Sequence, residues 1–256
     1  MPDYKNIKFE LNNGVARIIF NRPPLNILNI EMMKEINKAL ESLLDEKSLK
    51  LVIFSAEHKA FSAGVDVGEH IGEKGIEMIK VFDEIFRLMI KVGKPTLAVV
   101  NGACLGGGCE IALFCDMVVA SDNAKFGQPE IQVGVFPPIA CMILPQIISQ
   151  KKALELILTG TLITANEAEG LGLVNKVVPP EQLESEANNL ISKIAVLSAP
   201  VLALTRKAAL IRYHKECIDY LTEIEVFYFD QLMKTEDASE GLKAFLEKRK
   251  PQWKNK

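Results

Sequence analysis

Several common chemistries lack their marker residues in this chain. There are only three histidines, His58, His70 and His214, and they are scattered. The five cysteines, Cys104, Cys109, Cys115, Cys141 and Cys217, are odd in number and include no CxxC pair. That pattern supplies neither a zinc site nor a disulfide framework and reads as buried free thiols, so no metal is expected. No apolar run reaches the roughly 18 residues of a membrane-spanning helix. The first ten residues are polar and charged, without the apolar centre of a secretory signal, so the expected compartment is the cytoplasm. Neither GxGxxG nor GxxxxGK[ST] occurs, which removes the usual signs of a dinucleotide fold and a phosphate loop. A strong basic balance is missing too. Lys and Arg number 30 against 33 Asp and Glu, for a net charge of −3. Nucleic acid is therefore not the expected partner, although a local basic patch for a phosphate-bearing ligand fits the same composition.

What is present is an ordinary globular chain. Its 256 residues are 48% hydrophobic, enough to bury a core without cross-links. The length suits one large domain, or one domain with an appendage. Strand and helix signals alternate through the first half. Strands are expected at 15–20, 51–54, 96–100 and 116–120, and helices at 30–44, 75–91 and 107–114. Asn29 is the N-cap of the first helix, and Asn21-Arg-Pro-Pro24 ends the first strand. This alternation predicts an α/β protein with parallel pairing. Beyond about residue 140 only 174–178 reads as a strand. Helices are expected at 151–158, 165–170, 180–194, 201–213, 216–234 and 239–249. The division is an α/β core over 1–195 followed by a helical region over 196–256. No repeat or low-complexity linker interrupts it.

Three segments can carry chemistry: Phe61-Ser-Ala-Gly-Val-Asp66, Asn101-Gly-Ala-Cys-Leu-Gly-Gly-Gly-Cys-Glu110, and Phe126-Gly-Gln-Pro-Glu130. A strand that runs through a glycine cluster into a helix exposes unpaired N–H groups at the positive end of the helix dipole. Such a place binds an anion or an oxyanion. The competing reading is that the glycines only permit close helix–sheet packing. Glu110 follows on the same short helix among apolar neighbours, where burial would raise its pKa into the range useful for acid/base work. A water-facing acid at a helix start is the alternative. Glu130 follows Pro129 in a loop, a common setting for an exposed turn. Together, however, two carboxylates near one substrate can hold a water between them, one protonated and one not.

At these residues the sequence resembles the enoyl-CoA hydratase/isomerase (crotonase) superfamily. The resemblance extends from Asn21-Arg-Pro through the three segments above to Ala165-Asn-Glu-Ala-Glu-Gly-Leu-Gly-Leu-Val-Asn175. It ends in the run from Glu236 to Pro251. It implies a spiral of ββα units with a C-terminal helical region that trimerises, as a homotrimer or homohexamer. It also implies an acyl-CoA thioester substrate and no separate cofactor. Mapped by motif, the backbone N–H groups of Val65 and Gly107 would bind the thioester oxygen. Ala63, Gly64, Asp66 and Gly106 would border the substrate. A glutamate at both Glu110 and Glu130 is the pattern of the hydratases, with Glu110 orienting and deprotonating water and Glu130 protonating carbon. Lys248, Arg249 and Lys250 lie in a tail that often reaches a neighbouring subunit's CoA, which makes Lys248 and Lys250 candidates for its phosphates. The bland reading of that cluster is a solvated helix end.

One departure carries information. Many hydratases continue past the second glutamate with Leu-Gly-x-x-Pro-Gly-x-Gly-Gly, whereas this chain reads Val133-Gly-Val-Phe-Pro-Pro-Ile-Ala-Cys141. Proline fixes φ and removes a backbone donor, so Pro137 and Pro138 are expected to stiffen and reshape the acyl pocket. The Gly-Val-Phe-Pro-Pro run resembles the subgroup that hydrates cyclohexa-1,5-diene-1-carbonyl-CoA in anaerobic aromatic (benzoyl-CoA) degradation. Other crotonase reactions, namely straight-chain hydration, double-bond isomerisation and thioester hydrolysis, are the alternatives. A non-catalytic acyl-CoA- or RNA-binding member of the fold is a further one.

Overall fold

Alternating apolar residues from Ile7 to Phe20 fold as a hairpin in the computed structural model, which describes residues 4–256 and, of Glu73, the backbone only. Strands β1 (Ile7–Asn12) and β2 (Val15–Phe20) pair antiparallel through Asn13-Gly14. Both turn residues have positive φ, the requirement of a tight two-residue hairpin. The sequence reading has no strand before Val15, although Asn-Gly between alternating residues is the signal for one. Asn29 caps α1 (Ile30–Glu41), its side chain accepting from Met32 N–H as the cap pattern predicts.

From here the chain repeats one unit: a buried strand in the large sheet, a short strand in a second sheet, then a helix. The first unit is β3 (Leu51–Ala56), β4 (Ala60–Ser62) and α2 (Glu73–Val92). The second is β5 (Thr96–Val100), β6 (Ala103–Leu105) and α3 (Gly107–Phe114). The third is β7 (Met117–Ser121), β8 (Lys125–Gly127) and α4 (Pro138–Ile147). Then follow α5 (Gln150–Thr159), β9 (Ile163–Thr164), α6 (Ala165–Gly170), β10 (Lys176–Val178) and α7 (Leu183–Ala195). The six-stranded sheet runs β1-β2-β3-β5-β7-β10, parallel except for the hairpin, and the four-stranded sheet runs β4-β6-β8-β9. This is the spiral of ββα units expected from the resemblance. The second sheet is unread in the sequence because strands of two or three residues are too short to show a period.

Three helices differ from expectation. Residues 138–147 form α4, where a near-continuous apolar stretch gives no helical stripe to read. The segments 201–213 and 216–234 are joined in one helix, α8 (Ala199–Asp230), since no glycine or proline separates them. Helix α9 (Glu236–Leu246) starts three residues earlier than the expected 239, with Thr235 as N-cap. Cys217, Leu221, Tyr228, Ala238 and Leu242 from these last helices lie in the same buried cluster as Phe20, Phe54 and Phe61. Four cysteines are buried free thiols and Cys141 is half-buried.

Helix α8 is also tied to the sheet by charge. Arg206 Nε donates to Asp116 Oδ2 at 2.7 Å, and the same oxygen accepts from Thr96 N–H (2.7 Å) and Oγ1 (2.9 Å). The Arg206 side chain is only 5% exposed. Asp116→Ala strands that charge and the Thr96 donors together. It is expected to destabilise the fold by about 1.5–3 kcal/mol, the scale of hydrogen bonds to a charged group, checked by the denaturant midpoint against the native chain. A shift within error would mean that water replaces the carboxylate.

Candidate active site

The turn from β6 into α3 is where the repeated unit becomes a site. Gly106 adopts φ +51, ψ −132, a conformation that only glycine takes without strain. A Cβ there would lie 2.6 Å from Glu130 Oε1. Gly107 is the first residue of α3, so its N–H has no acceptor within the helix. A Cβ on Gly107 would meet Val65 Cγ2 at 2.6 Å, which shows how closely the two segments approach. Gly108 serves packing: its Cβ would meet Ser62 Cβ at 2.4 Å. The glycine cluster is therefore both a turn and a packing device, with different residues for each.

Val65 sits opposite Leu28 in an isolated parallel bridge. The bridge uses the flanking groups, Leu28 N–H to Gly64 O and Asp66 N–H to Leu28 O, both at 2.9 Å. Alternation along an extended strand then turns the N–H of Val65 the other way. Val65 and Gly107 face one cavity of about 390 Å³, along with Ala63, Gly64, Gly106, Glu110, Glu130 and Pro138.

Glu110 is 2% exposed, so it does not face water. Its Oε1 accepts from the N–H groups of Ile139 (2.7 Å) and Ala140 (2.8 Å). These are free donors in the first turn of α4, and Pro138 at the first helical position gives up none of them. Burial pushes the Glu110 carboxyl up and the two donors pull it down. The balance leaves it at about 7. Glu130 is half-buried as a residue, yet its Oε2 is fully enclosed and has no partner among the described residues. Burial, reinforced by the charge of Glu110, raises its carboxyl well above the ordinary range. The two acids thus divide the proton. Glu130, more strongly raised and with one oxygen unpartnered, keeps it; Glu110, held by the two N–H groups of α4, is the one that ionises.

The sign of the pH effect follows. Work that needs Glu110 ionised is lost as pH falls through about 7 and returns as pH rises. We expect kcat/KM of the native chain to show an acid limb there, and Glu110→Gln to abolish that limb. An unchanged limb in the variant would assign it to another group.

Two sequence assignments are corrected. Asp66 does not line the cavity. Its side chain accepts from Gly68 N–H (3.0 Å) and caps the turn Val67–Glu69. Pro137 is buried beside the cavity as N-cap of α4 and does not line it, while Phe136 does. Arg249 is committed to Glu240, at 2.5 and 2.9 Å, and to Glu247. Lys248 and Lys250 are exposed and stand apart from this cavity. Sequence reading missed Met78, Ile79 and Phe82 of α2, Tyr228 of α8, and Leu242 and Phe245 of α9, all of which form its walls. Helical spacing predicts α2 but not which of its faces borders a ligand.

Comparison with known proteins places this arrangement among relatives. The enoyl-CoA hydratase/isomerase family model matches residues 10–256. A probable mitochondrial enoyl-CoA hydratase of Dictyostelium discoideum is 38% identical over 256 residues, covering 96% of this chain and 90% of the relative. A cyclohexa-1,5-dienecarbonyl-CoA hydratase of Thauera aromatica is 36% identical over 248 residues, covering 96% and 95%. The crystal structure of an enoyl-CoA hydratase from Mycobacterium avium subsp. paratuberculosis K-10 superposes with a TM-score of 0.88 at 28% identity, covering 98% and 99%.

Proposed function

The chain belongs to the enoyl-CoA hydratase/isomerase family, and from that membership we propose that it is a hydro-lyase adding water to an α,β-unsaturated acyl-CoA. The observation that carries the proposal is the pair of enclosed carboxyls, one held by two N–H groups of α4 and one with an unpartnered oxygen, facing a cavity that also holds Val65 and Gly107.

The chemistry runs as a conjugate addition. The Val65 and Gly107 N–H groups bind the thioester oxygen and stabilise the enolate that forms. Ionised Glu110 takes a proton from water as the water oxygen bonds to the β-carbon. Protonated Glu130 gives its proton to carbon, the thioester carbonyl re-forms, and the proton on Glu110 returns to Glu130 through the next water. One water is added and nothing else is consumed; coenzyme A is part of the substrate and no further cofactor enters. Holding one water in line between two acids removes much of the entropic barrier.

For the acyl group we propose cyclohexa-1,5-diene-1-carbonyl-CoA. There the intermediate is a dienolate, protonation occurs at its far end, and the product is a 6-hydroxycyclohex-1-ene thioester, as in anaerobic aromatic degradation. Support comes from Phe136-Pro137-Pro138 at the head of α4 and from the Thauera relative. A crotonyl-CoA hydratase and a short-chain-enoyl-CoA hydratase are equally similar, which keeps a straight-chain substrate as the second reading. The test is hydration of the dienoyl thioester beside crotonyl-CoA, followed by mass. Fast gain of one water on the dienoyl thioester alone supports the cyclic substrate. The reverse preference removes it and keeps the hydratase. No gain on either overturns the hydratase reading.

Self-assembly as a trimer or hexamer belongs to the same proposal. Helix α8 exposes Val201, Leu204 and Ile211 beside a groove of about 880 Å³, a face that partner subunits would cover. Lys248 and Lys250 would then meet CoA phosphates across the interface.

A further inference from the structure

The catalytic cavity does not end at its two acids. His70, Tyr228 and Leu242 also line a second cavity of about 580 Å³, so they form a wall shared by both. Two of these three are polar, and each has an atom that the protein leaves unused.

His70 Nδ1 lies 3.1 Å from the Asp66 carbonyl oxygen. A carbonyl only accepts, so Nδ1 carries the proton. Burial holds the imidazole below its ordinary pKa, hence neutral, which leaves Nε2 as a bare acceptor. The side chain bonds through Nδ1, and Nε2 makes no hydrogen bond among the described residues. Tyr228 is 2% exposed, and its ring is fixed edge-on against Phe136 with centroids 5.2 Å apart. Its hydroxyl likewise has no hydrogen-bond partner among the described residues. Burial raises its pKa and keeps that hydroxyl protonated. One wall, apart from the two acids, therefore offers an acceptor and a donor.

We propose that this wall is a specificity element that reads a hydroxyl group on the acyl part of the ligand, beyond the reacting carbons. His70 Nε2 takes the hydroxyl proton and Tyr228 donates to its oxygen. The class selected is the hydroxylated form of whichever acyl skeleton the cavity holds; the inference rests on the acyl-CoA reading above. A hydrocarbon pressed against this wall would bury both polar atoms unpaired, and that loss is what discriminates. Sites built around such a pair reject the analogue lacking the hydroxyl far better than size alone permits.

Saturated acyl-CoAs test this without turnover, because they cannot be hydrated. Affinities are measured by calorimetry for plain thioesters from butanoyl to octanoyl and for their ω-hydroxy counterparts. At one chain length the hydroxy form is expected to bind the native chain about five- to tenfold tighter. In His70→Phe and Tyr228→Phe that ratio falls to about one, while His70→Gln, whose amide oxygen still accepts, keeps part of it. Equal binding at every length overturns the inference. So does a His70→Phe variant that weakens both members of each pair alike, since His70 would then meet the CoA arm. A parallel hydration assay separates the two readings. Turnover of an enoyl-CoA without hydroxyl preference defeats only the wall, and preference without turnover defeats only the hydratase.

Discussion

Glu130→Gln is expected to bind acyl-CoA nearly as the native chain does while losing turnover by about 10³-fold, the scale of one positioned acid. Glutamine keeps the shape and fits the same enclosed space, so the fold is not at issue. What disappears is the proton of a carboxyl whose enclosed Oε2 has no partner among the described residues. Glu110→Gln has a comparable effect for the opposite reason. Its amide oxygen still accepts from Ile139 and Ala140, and helix α4 stays seated, but no base remains. Because the two acids handle one water, their effects overlap. The double variant should be only slightly worse than either single one, far short of the product of the two losses. Single-turnover rates, with a saturated thioester as the binding control, decide the matter. Near-native turnover in either single variant would end the paired-acid mechanism, and multiplicative losses would mean that the acids act in separate steps.

Gly106→Ala is expected to lower kcat by about 10²-fold or more, although the new methyl touches no reacting atom. The added Cβ would sit 2.6 Å from Glu130 Oε1, so the carboxyl must move. Gly106 N–H also donates to Gly127 O at 3.0 Å, which ties the turn to the strand leading into Glu130. The change carries backbone strain as well, on the order of 1–3 kcal/mol for a non-glycine residue held there. Gly72 separates the two contributions. It has nearly the same backbone, φ +65 and ψ −145, but nothing within 4 Å of a Cβ. Gly72→Ala should lose similar stability and far less turnover. Equal losses of turnover in the two variants would show that strain, not the displaced carboxyl, accounts for the effect.

Much of the fold was legible because its signals are local. Asn29 caps its helix through its own side chain, and the buried strands Leu51–Ala56 and Thr96–Val100 announce themselves by apolar runs. Features set by tertiary contact were not legible. Glu110 reads equally as a surface or a buried acid until α4 is laid across it, and α4 itself is too uniformly apolar to show a face. Asp66 borders the oxyanion motif in sequence, yet it turns to cap Gly68, because a neighbour in sequence on an extended segment points the other way. Tyr228 and Phe245 reach the cavity from more than a hundred residues downstream of Gly107, and no spacing rule connects them. The proline pair was noticed for its stiffness. Its visible consequence is different: Pro138 begins a helix whose next two N–H groups set the strength of an acid.

That last arrangement bears on how this scaffold can change. The groups proposed to bind the thioester oxygen and those that hold Glu110 all belong to the main chain. Ordinary side-chain drift at Val65, Ile139 or Ala140 leaves them untouched, and only a proline would delete one. The side chains at 110 and 130, by contrast, are free to vary without dismantling the oxygen-binding pair. A laboratory lineage started from this chain could therefore exchange its acids for new chemistry while keeping the proposed oxygen-binding N–H pair intact.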